Sequence, residues 1–324
     1  MPDQPDPRNR LNNLTNREWL KATKSFWTAD GGRAEGAPPA WDEFIGWLRE
    51  TKGDEAVEEV LEQVAPSFIY SKAPPRSKLK SLHPATFSET DVGRLISMFT
   101  KPGQHVLDPF LGSGSTLLAC AERGRRGTGI ELSKDWAKIA RERLKAEVED
   151  QSQQTVRVGD SRRVLAKLGA ESVDLLLTSP PYWSVLRKKP GLKAKAERVD
   201  HGLPTHYSDS ADDLGNIEDY EAFLATLGGI FELAVPLLRP GSYACVVVSD
   251  FRHGKDFVMH HADVARVLEG VGLPLKAITI LAQDNKNLYP FGIPYHFISN
   301  IHHQYILIHQ KPAPAKKKRK PKAK

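Results

Sequence analysis

The fold is decided by His105-Val106-Leu107-Asp108-Pro109-Phe110-Leu111-Gly112-Ser113-Gly114-Ser115. A short apolar run, His105 to Leu107, ends in an acid and opens into a Gly-x-Gly turn, after which Ser115 to Arg123 reads as a helix. Strand, glycine turn and helix in this order bring backbone close to a ligand at the carboxyl end of a parallel sheet. Gly112 and Gly114 can take positive φ and keep open the space a Cβ would fill.

On the amino-terminal side, Ser88 and Thr90 offer an N-cap for a helix through Thr100, which Pro102-Gly103 stops. On the carboxyl side come strand Gly127 to Glu131, helix Lys134 to Val148, strand Thr155 to Val158, helix Arg162 to Leu168 and strand Val173 to Thr178. Helix Ile217 to Leu238, strand Ser242 to Ser249 and helix Ala262 to Val271 continue the alternation, and strands Leu275 to Leu281 and Gln304 to Ile308 close it. Helices between successive strands imply βαβ units and a doubly wound, mainly parallel α/β sheet. The last two strands lack a helix between them, so antiparallel pairing is expected at that end.

The segment before residue 67 reads differently. Met1 to Asn13 is polar and is expected to be disordered. Trp19 to Trp27, Trp41 to Leu48 and Asp54 to Val64 read as short helices, the first two separated by the Gly/Pro-rich Gly31 to Pro39. The expected division is therefore a flexible and helical region over 1–66, the main domain over 67–311, and a basic disordered tail over 312–324. Two long loops interrupt the main domain. Trp183 to Asn216 is polar and charged, and Asp284 to Asn300 carries Tyr289, Phe291, Tyr295 and Phe297 among Gly and Pro. Both are expected at the carboxyl end of the sheet, and loops of this length inside a domain are usually functional or disordered.

With 40% hydrophobic and 27% charged residues the chain has ample material for a core. The net charge of +6 resides in Lys316 to Lys324, without which the body is near −1. Cys120 and Cys245 sit in apolar runs without metal-ligand spacing, which suggests buried thiols in a reducing compartment. No apolar leader or continuous apolar span of 18 residues is visible. The expectation is a cytoplasmic protein, nucleoid-associated in a bacterium or nuclear in a eukaryote, without membrane or metal.

Three strand-end acids surround the glycine turn. Asp108 precedes it, Glu131 ends the next strand and Asp160 the third. Leu117 stands where a dinucleotide fingerprint has its third glycine, which disfavours NAD or FAD. Glu131 suits a ribose diol and Asp160 an adenine amino group, so the set fits S-adenosyl-L-methionine better than a diphosphate. Asp108 and Phe110 would shape the loop, and Ser115 would open its helix. The ordinary alternative is three capping carboxylates.

Ser179-Pro180-Pro181-Tyr182 follows the strand ending at Thr178. Two prolines fix φ and remove donors, leaving stiff outward carbonyls. Acceptors for both N–H groups of an exocyclic amine favour a tetrahedral nitrogen with a usable lone pair. Ser179 Oγ and the Pro180 carbonyl are the candidate acceptors, and the Tyr182 ring offers a stacking face for an extruded base. The alternative is a polyproline turn or partner-binding motif. Both cysteines follow alanine, which disfavours methylation at a ring carbon.

Together these residues resemble the amino-methyltransferase family of DNA N4-cytosine and N6-adenine methylases. The resemblance spans roughly His83 to Leu186. It rests on His83-Pro84, Val106 to Ser115, Gly129-Ile130-Glu131, Gly159-Asp160 and Thr178 to Trp183. It implies a Rossmann-like S-adenosylmethionine-dependent fold, with Asp108, Phe110, Gly112, Gly114, Ser115, Glu131 and Asp160 at the cofactor. It places Ser179, Pro180, Pro181 and Tyr182 at the target base. Serine at the first catalytic position leans toward cytosine N4, with adenine N6 second. The cofactor motif precedes the catalytic one, the reverse of the commonest order in such relatives. Trp183 to Asn216, and the amino-terminal helices, would then supply most base contacts. DNA is the implied partner, and no restriction endonuclease partner is legible.

The remaining alternatives are the same chemistry on RNA or a protein amide, and a non-catalytic nucleic-acid-binding module. Lys316-Lys317-Lys318-Arg319-Lys320 reads as a phosphate-binding tail, an import signal or a merely solvated end. Arg187, Lys188, Lys189, Lys193 and Lys195 can track a phosphate backbone or simply face water. His260-His261 and His302-His303 invite a metal reading, but adjacent histidines face apart and no supporting ligand pattern accompanies them.

Overall fold

The computed structural model describes residues 9, 11–15, 26–28, 49–55, 88–184, 208, 210–282, 301 and 303–314. In chain order the elements are β1 (Phe26–Thr28), α1 (Glu89–Phe99), β2 (His105–Asp108), α2 (Ser115–Glu122), β3 (Arg126–Glu131), α3 (Lys134–Glu147), β4 (Gln154–Val158), α4 (Ser161–Leu165) and β5 (Val173–Thr178). They continue with α5 (Tyr220–Ala234), β6 (Leu238–Val248), β7 (Phe251–His253), β8 (Asp256–Val258), α6 (His260–Gly270), β9 (Leu275–Ala282) and β10 (His303–Gln310).

Eight strands form one sheet in the order β1-β9-β10-β6-β5-β2-β3-β4. The strands from β4 to β6 pair in parallel, and β10 runs antiparallel between β6 and β9. The doubly wound, mainly parallel sheet expected from the alternation is thus the observed one. The last two strands do pair antiparallel, but β10 inserts inside the sheet and leaves the edge to β1. From β2 the chain winds outward through β3 and β4, then returns to place β5 on the other side of β2. The reversal makes the carboxyl ends of β2 and β5 the topological switch point, where open α/β sheets bind ligands.

The central strands are buried on both faces, which is why they read as near-continuous apolar runs. Successive residues of β5 and β2 point to opposite sides. Leu176 and Leu107 join Phe223, Leu227 and Phe231 of α5 and Leu268 of α6 in one core. Leu175, Leu177 and Val106 join Val92, Leu95, Ile96 and Phe99 of α1 in the other, which also holds Cys120 and Cys245. Both cysteines are free and buried, and burial pushes both thiols up, out of thiolate range.

Local chemistry sets the helix ends. Ser88 caps α1 by accepting the Asp91 N–H at 3.4 Å, and Asp219 caps α5 by accepting from Ala222 N at 2.7 Å. The helix expected over Ile217 to Leu238 is shorter than its pattern. It stops at Ala234, and a 3₁₀ turn at Val235–Leu237 follows, with Pro236 unable to donate a helical hydrogen bond. Tyr220–Leu237 is apolar and long enough to cross a membrane by composition, yet Phe223, Leu227, Ile230 and Phe231 lie in the core.

The amino-terminal expectation needs correction where it can be examined. Phe26 and Trp27, expected at the end of a helix, lie in the edge strand β1, paired in parallel with Ile280 and Leu281. The supposedly disordered start is docked: Asn12 Nδ2 donates to the Met98 carbonyl at 2.5 Å, and Leu11 and Leu14 pack against the second core. These residues belong to the main domain, not to a separate region ending at 66. Trp41 to Leu48, most of Asp54 to Val64, His83-Pro84, Asp284 to Asn300 and the basic tail lie outside the described residues.

Candidate active site

Asp108 ends β2 at the switch point and is 3% exposed. Its carboxylate accepts three hydrogen bonds: Thr116 Oγ1 at 2.6 Å, Thr178 Oγ1 at 2.6 Å and the Phe110 N–H at 2.9 Å. Burial pushes its pKa up and the three donors pull it back down, with burial the larger effect. The bond from Thr178 has a positional consequence. Thr178 immediately precedes Ser179, so Asp108 fastens the start of the Ser-Pro-Pro-Tyr motif to the root of the glycine loop.

The loop is locked from its other side. Gly112 and Gly114 have φ of +55° and +92°, the left-handed conformation that glycine adopts without strain. A Cβ on Gly114 would stand 3.0 Å from Ala140 Cβ, so this glycine also lets the start of α2 press against α3. Arg143 of α3, with its side chain 1% exposed, donates to the Ser113 carbonyl at 2.9 Å, to Glu89 at 2.7 Å and to Glu147 at 3.0 Å. Ser115 Oγ donates to the same Glu89 carboxylate at 2.8 Å. One buried guanidinium therefore joins α1, the glycine loop and α3. The paired carboxylates keep it charged against the cost of burial.

Glu131 ends β3 with each carboxylate oxygen occupied once, by Gly112 N and by Ser133 N, both at 2.8 Å. No cation pairs with it among the described residues, and burial, aided by Asp213 and Asp108, pushes its pKa up to about 7. A fixed carboxylate with lone pairs to spare and no counter-charge is suited to accept from a diol. Asp160 presents a different picture. It caps α4 through Arg162 N at 2.8 Å and pairs with the Arg162 guanidinium at 2.8 Å. Although burial opposes ionisation, these Arg162 contacts hold its pKa below the usual carboxylate value. Arg162 also reaches Asp212 at 3.1 Å, which ties the carboxyl end of the long polar loop to α4.

Across the switch point lies the proline motif. Ser179 Oγ donates to the Val247 carbonyl of β6 at 3.1 Å and lies 3.1 Å from the Tyr182 hydroxyl. Even if Tyr182 donates to Ser179, one Ser179 lone pair is left to accept an N–H. The Pro180 carbonyl accepts no hydrogen bond from the described residues. Tyr182 accepts from Gln304 Nε2 at 2.8 Å, its ring packs against the first core, and burial pushes its pKa up to about 12. The stacking face expected of Tyr182 is thus half-buried, with its hydroxyl fixed on β6 and β10. Trp183 has a positive φ of 49° and donates from Nε1 to the Ile217 carbonyl at 2.9 Å. Its ring lies against Tyr220, Phe251 and His253.

The structure therefore gathers Asp108, Phe110, Gly112, Gly114, Ser115 and Glu131 around one loop, with Ser179 to Tyr182 joined to it through Thr178. Asp160 stands at the end of β4, engaged by Arg162. Sequence reasoning missed Thr116, Thr178, Glu89, Arg143 and Gln304, whose partners are distant in sequence. His260 and His261 diverge as expected: His260 Nδ1 meets the Tyr220 hydroxyl at 2.9 Å, and His261 Nδ1 meets Asp250 at 2.7 Å. Burial lowers the pKa of His260 to about 4, so this ring is neutral.

The family model described as DNA methylase matches residues 3–142, from the amino-terminal segment through the glycine loop and into α3. The chain is related to the DNA methylases. The match ends before Ser179, so the proline motif stands on its own geometry. A second family model, conserved hypothetical protein 95, matches residues 95–197. Among curated methylases, the chain is 46% identical over 67 residues to the type II methyltransferase M2.DpnII of Streptococcus pneumoniae, covering 21% of this chain and 25% of that protein. It is 38% identical over 81 residues to type II methyltransferase M.ScaI of Streptomyces caespitosus, covering 25% of this chain and 27% of that protein. The chain thus spans about a quarter of the length of either relative. A DNA modification methylase from Thermus thermophilus, solved with S-adenosyl-L-methionine, is 30% identical over 50% of this chain and 57% of its own, with a TM-score of 0.34.

Proposed function

We propose that this chain is an S-adenosylmethionine-dependent DNA methyltransferase acting on the exocyclic amine of a flipped base, cytosine N4 ahead of adenine N6. The observation that carries the reading is the 2.6 Å hydrogen bond from Thr178 to Asp108, which holds the glycine loop and the proline motif side by side at the switch point. Kinship with the DNA methylases supports the choice of DNA, and serine at position 179 supports cytosine.

The residues present fit the cofactor. Glu131 offers a rigid, unpaired carboxylate to the ribose hydroxyls, and the positive-φ glycines let backbone approach the ligand closely. Phe110, half-buried beside the loop, adds an apolar wall. Asp160 would meet an adenine amino group with lone pairs that Arg162 leaves free. The cofactor, when bound, supplies an electrophilic methyl group.

The chain supplies position and hydrogen-bond acceptors. Ser179 Oγ, oriented by its bond to the Val247 carbonyl, accepts one amine N–H, and the Pro180 carbonyl accepts the other. The nitrogen is thereby drawn toward tetrahedral geometry with its lone pair available. Placing two reactants in near-attack geometry accounts for much of the acceleration such a site can provide. Tyr182, a neutral phenol, backs Ser179 and presents its ring edge to the base.

Nucleoside mass spectrometry on duplex DNA and on RNA, each treated with the protein and isotope-labelled S-adenosylmethionine, tests this. Labelled N4-methylcytosine in DNA, absent with Ser179→Ala, is the expected product. N6-methyladenine would keep the mechanism and overturn the cytosine preference. Label confined to RNA or protein would overturn the DNA reading.

A further inference from the structure

Between β6 and α6 the chain leaves the main sheet. Strands β7 and β8 pair only with each other, in the register Phe251↔Val258, Arg252↔Phe257 and His253↔Asp256. The turn is Gly254-Lys255, with Gly254 at φ +62°, the first-position glycine that a tight type II′ hairpin requires. The ribbon springs from the carboxyl end of β6, the same end of the sheet at which Ser179 follows β5.

Alternation gives its two faces different environments. On the inner face, Phe251 is 6% exposed with its ring 5.9 Å from that of Trp183, and the His253 ring lies 4.7 Å from Trp183. Trp183 directly follows Tyr182, so the hairpin is clamped to the residue beside the amine grip. On the outer face the Arg252 guanidinium carbon lies 5.3 Å from the centre of the Phe257 ring. Phe257 is 45% exposed and Met259, just beyond the ribbon, is 55% exposed. Among the described residues these are the two most exposed large apolar side chains.

A rigid ribbon that displays an aromatic ring, a methionine and two cations, and that is anchored beside a base-binding motif, has the makings of a nucleic-acid wedge. A two-stranded ribbon fits the major groove. Phe and Met are side chains that enter between base steps, and Arg and Lys take the flanking phosphates. A flipped base leaves a gap in the stack, and an apolar side chain that fills it offsets part of the lost stacking.

We propose that the Phe251–Val258 hairpin enters duplex DNA beside the extruded base, with Phe257, seconded by Met259, occupying the vacated space. Arg252 and Lys255 meet phosphates on either side. The inference rests on the base-methylation reading for its target and on the hairpin's own geometry for the element that does the work.

The test compares wild type, Phe257→Ala and Phe257→Leu on unmethylated bacteriophage DNA, native and heat-denatured, with labelled S-adenosylmethionine. Phe257→Ala is expected to lose about tenfold or more of its transfer to duplex and to stay within about twofold of wild type on single strands, where no gap forms. Phe257→Leu, which keeps apolar bulk, is expected to recover most of the duplex activity. Equal losses on both substrates, or no loss on either, would overturn the proposal. If wild type methylates neither DNA, the methylation reading fails, and the hairpin is judged by fluorescence anisotropy instead. Wild type should then bind a duplex with an abasic site more tightly than the intact duplex, and Phe257→Ala should lose that preference. An unchanged preference would overturn the wedge. So would concentration-dependent dimerisation that Phe257→Ala abolishes while leaving DNA binding intact, because the face would then belong to a second copy of the chain.

Discussion

The two sides of the switch point are built from different materials. Around the glycine loop the protein buries charge: Asp108 with three donors, Glu131 with two backbone N–H groups, and Arg143 between Glu89 and Glu147. Around Ser179 the polar partners are neutral: the Val247 carbonyl, the Tyr182 hydroxyl and the Gln304 amide. Aromatic rings pack beside them, with Trp183 at their centre. A cationic ligand with a ribose rewards fixed carboxylates. A neutral amine whose lone pair must be freed rewards neutral acceptors, since a strong charge nearby would also bind water tightly. The chemical division thus follows from what each side is proposed to hold.

The sharpest way to break the charged side is Arg143→Met. It strands Glu89 in the interior and releases the Ser113 carbonyl, and the expected cost is about 3–5 kcal/mol of stability by denaturant unfolding. Adding Glu89→Gln should recover part of that loss, and the absence of any recovery would show the pair to be uncoupled. Asp108→Asn comes next. An amide cannot accept from both threonines and the Phe110 N–H together, so a loss of about 2–3 kcal/mol is expected, again by unfolding.

Glu131 sharpens the comparison through pH. Its folded pKa of about 7 lies above its unfolded value, so the contribution it makes to apo-protein stability is present at acid pH and lost as pH rises through about 7. Cofactor affinity should run the opposite way, because the ribose hydroxyls donate to the ionised carboxylate. Calorimetry is expected to show about tenfold tighter cofactor binding at pH 8 than at pH 6 in wild type, and a flat profile in Glu131→Gln. The smallest effect belongs to Trp183→Phe. It removes the bond to the Ile217 carbonyl for about 1 kcal/mol and should slow methyl transfer without changing cofactor affinity.

Much of this site was legible in the sequence because its main parts sit where strands end. Asp108, Glu131 and Ser179 are each the last residue of a strand or the first beyond one, and the helix–strand rhythm fixes those positions. What was not legible depends on pairs that no local pattern links. Thr178 meets Asp108 70 residues away, Arg143 meets Glu89 at a separation of 54, and Gln304 meets Tyr182 at 122. Phe26-Trp27-Thr28 failed for a related reason. Three residues are too few to show a period of two, and their strand identity comes from pairing with β9 near the other end of the chain. The β7–β8 hairpin did leave a trace in His253-Gly254-Lys255-Asp256, a turn signal between short flanks.

The account stands or falls on the independence of the two sides within one site. The direct measurement is the cofactor Kd of Ser179→Ala by calorimetry, taken together with single-turnover methyl transfer to DNA. The predicted result is a Kd within about twofold of wild type and a transfer rate lower by about a hundredfold, as for loss of a group that acts only on the reacting amine. A Kd that weakens in step with the rate would contradict the division. So would full transfer by the variant, which would leave Ser179 with no part in the chemistry.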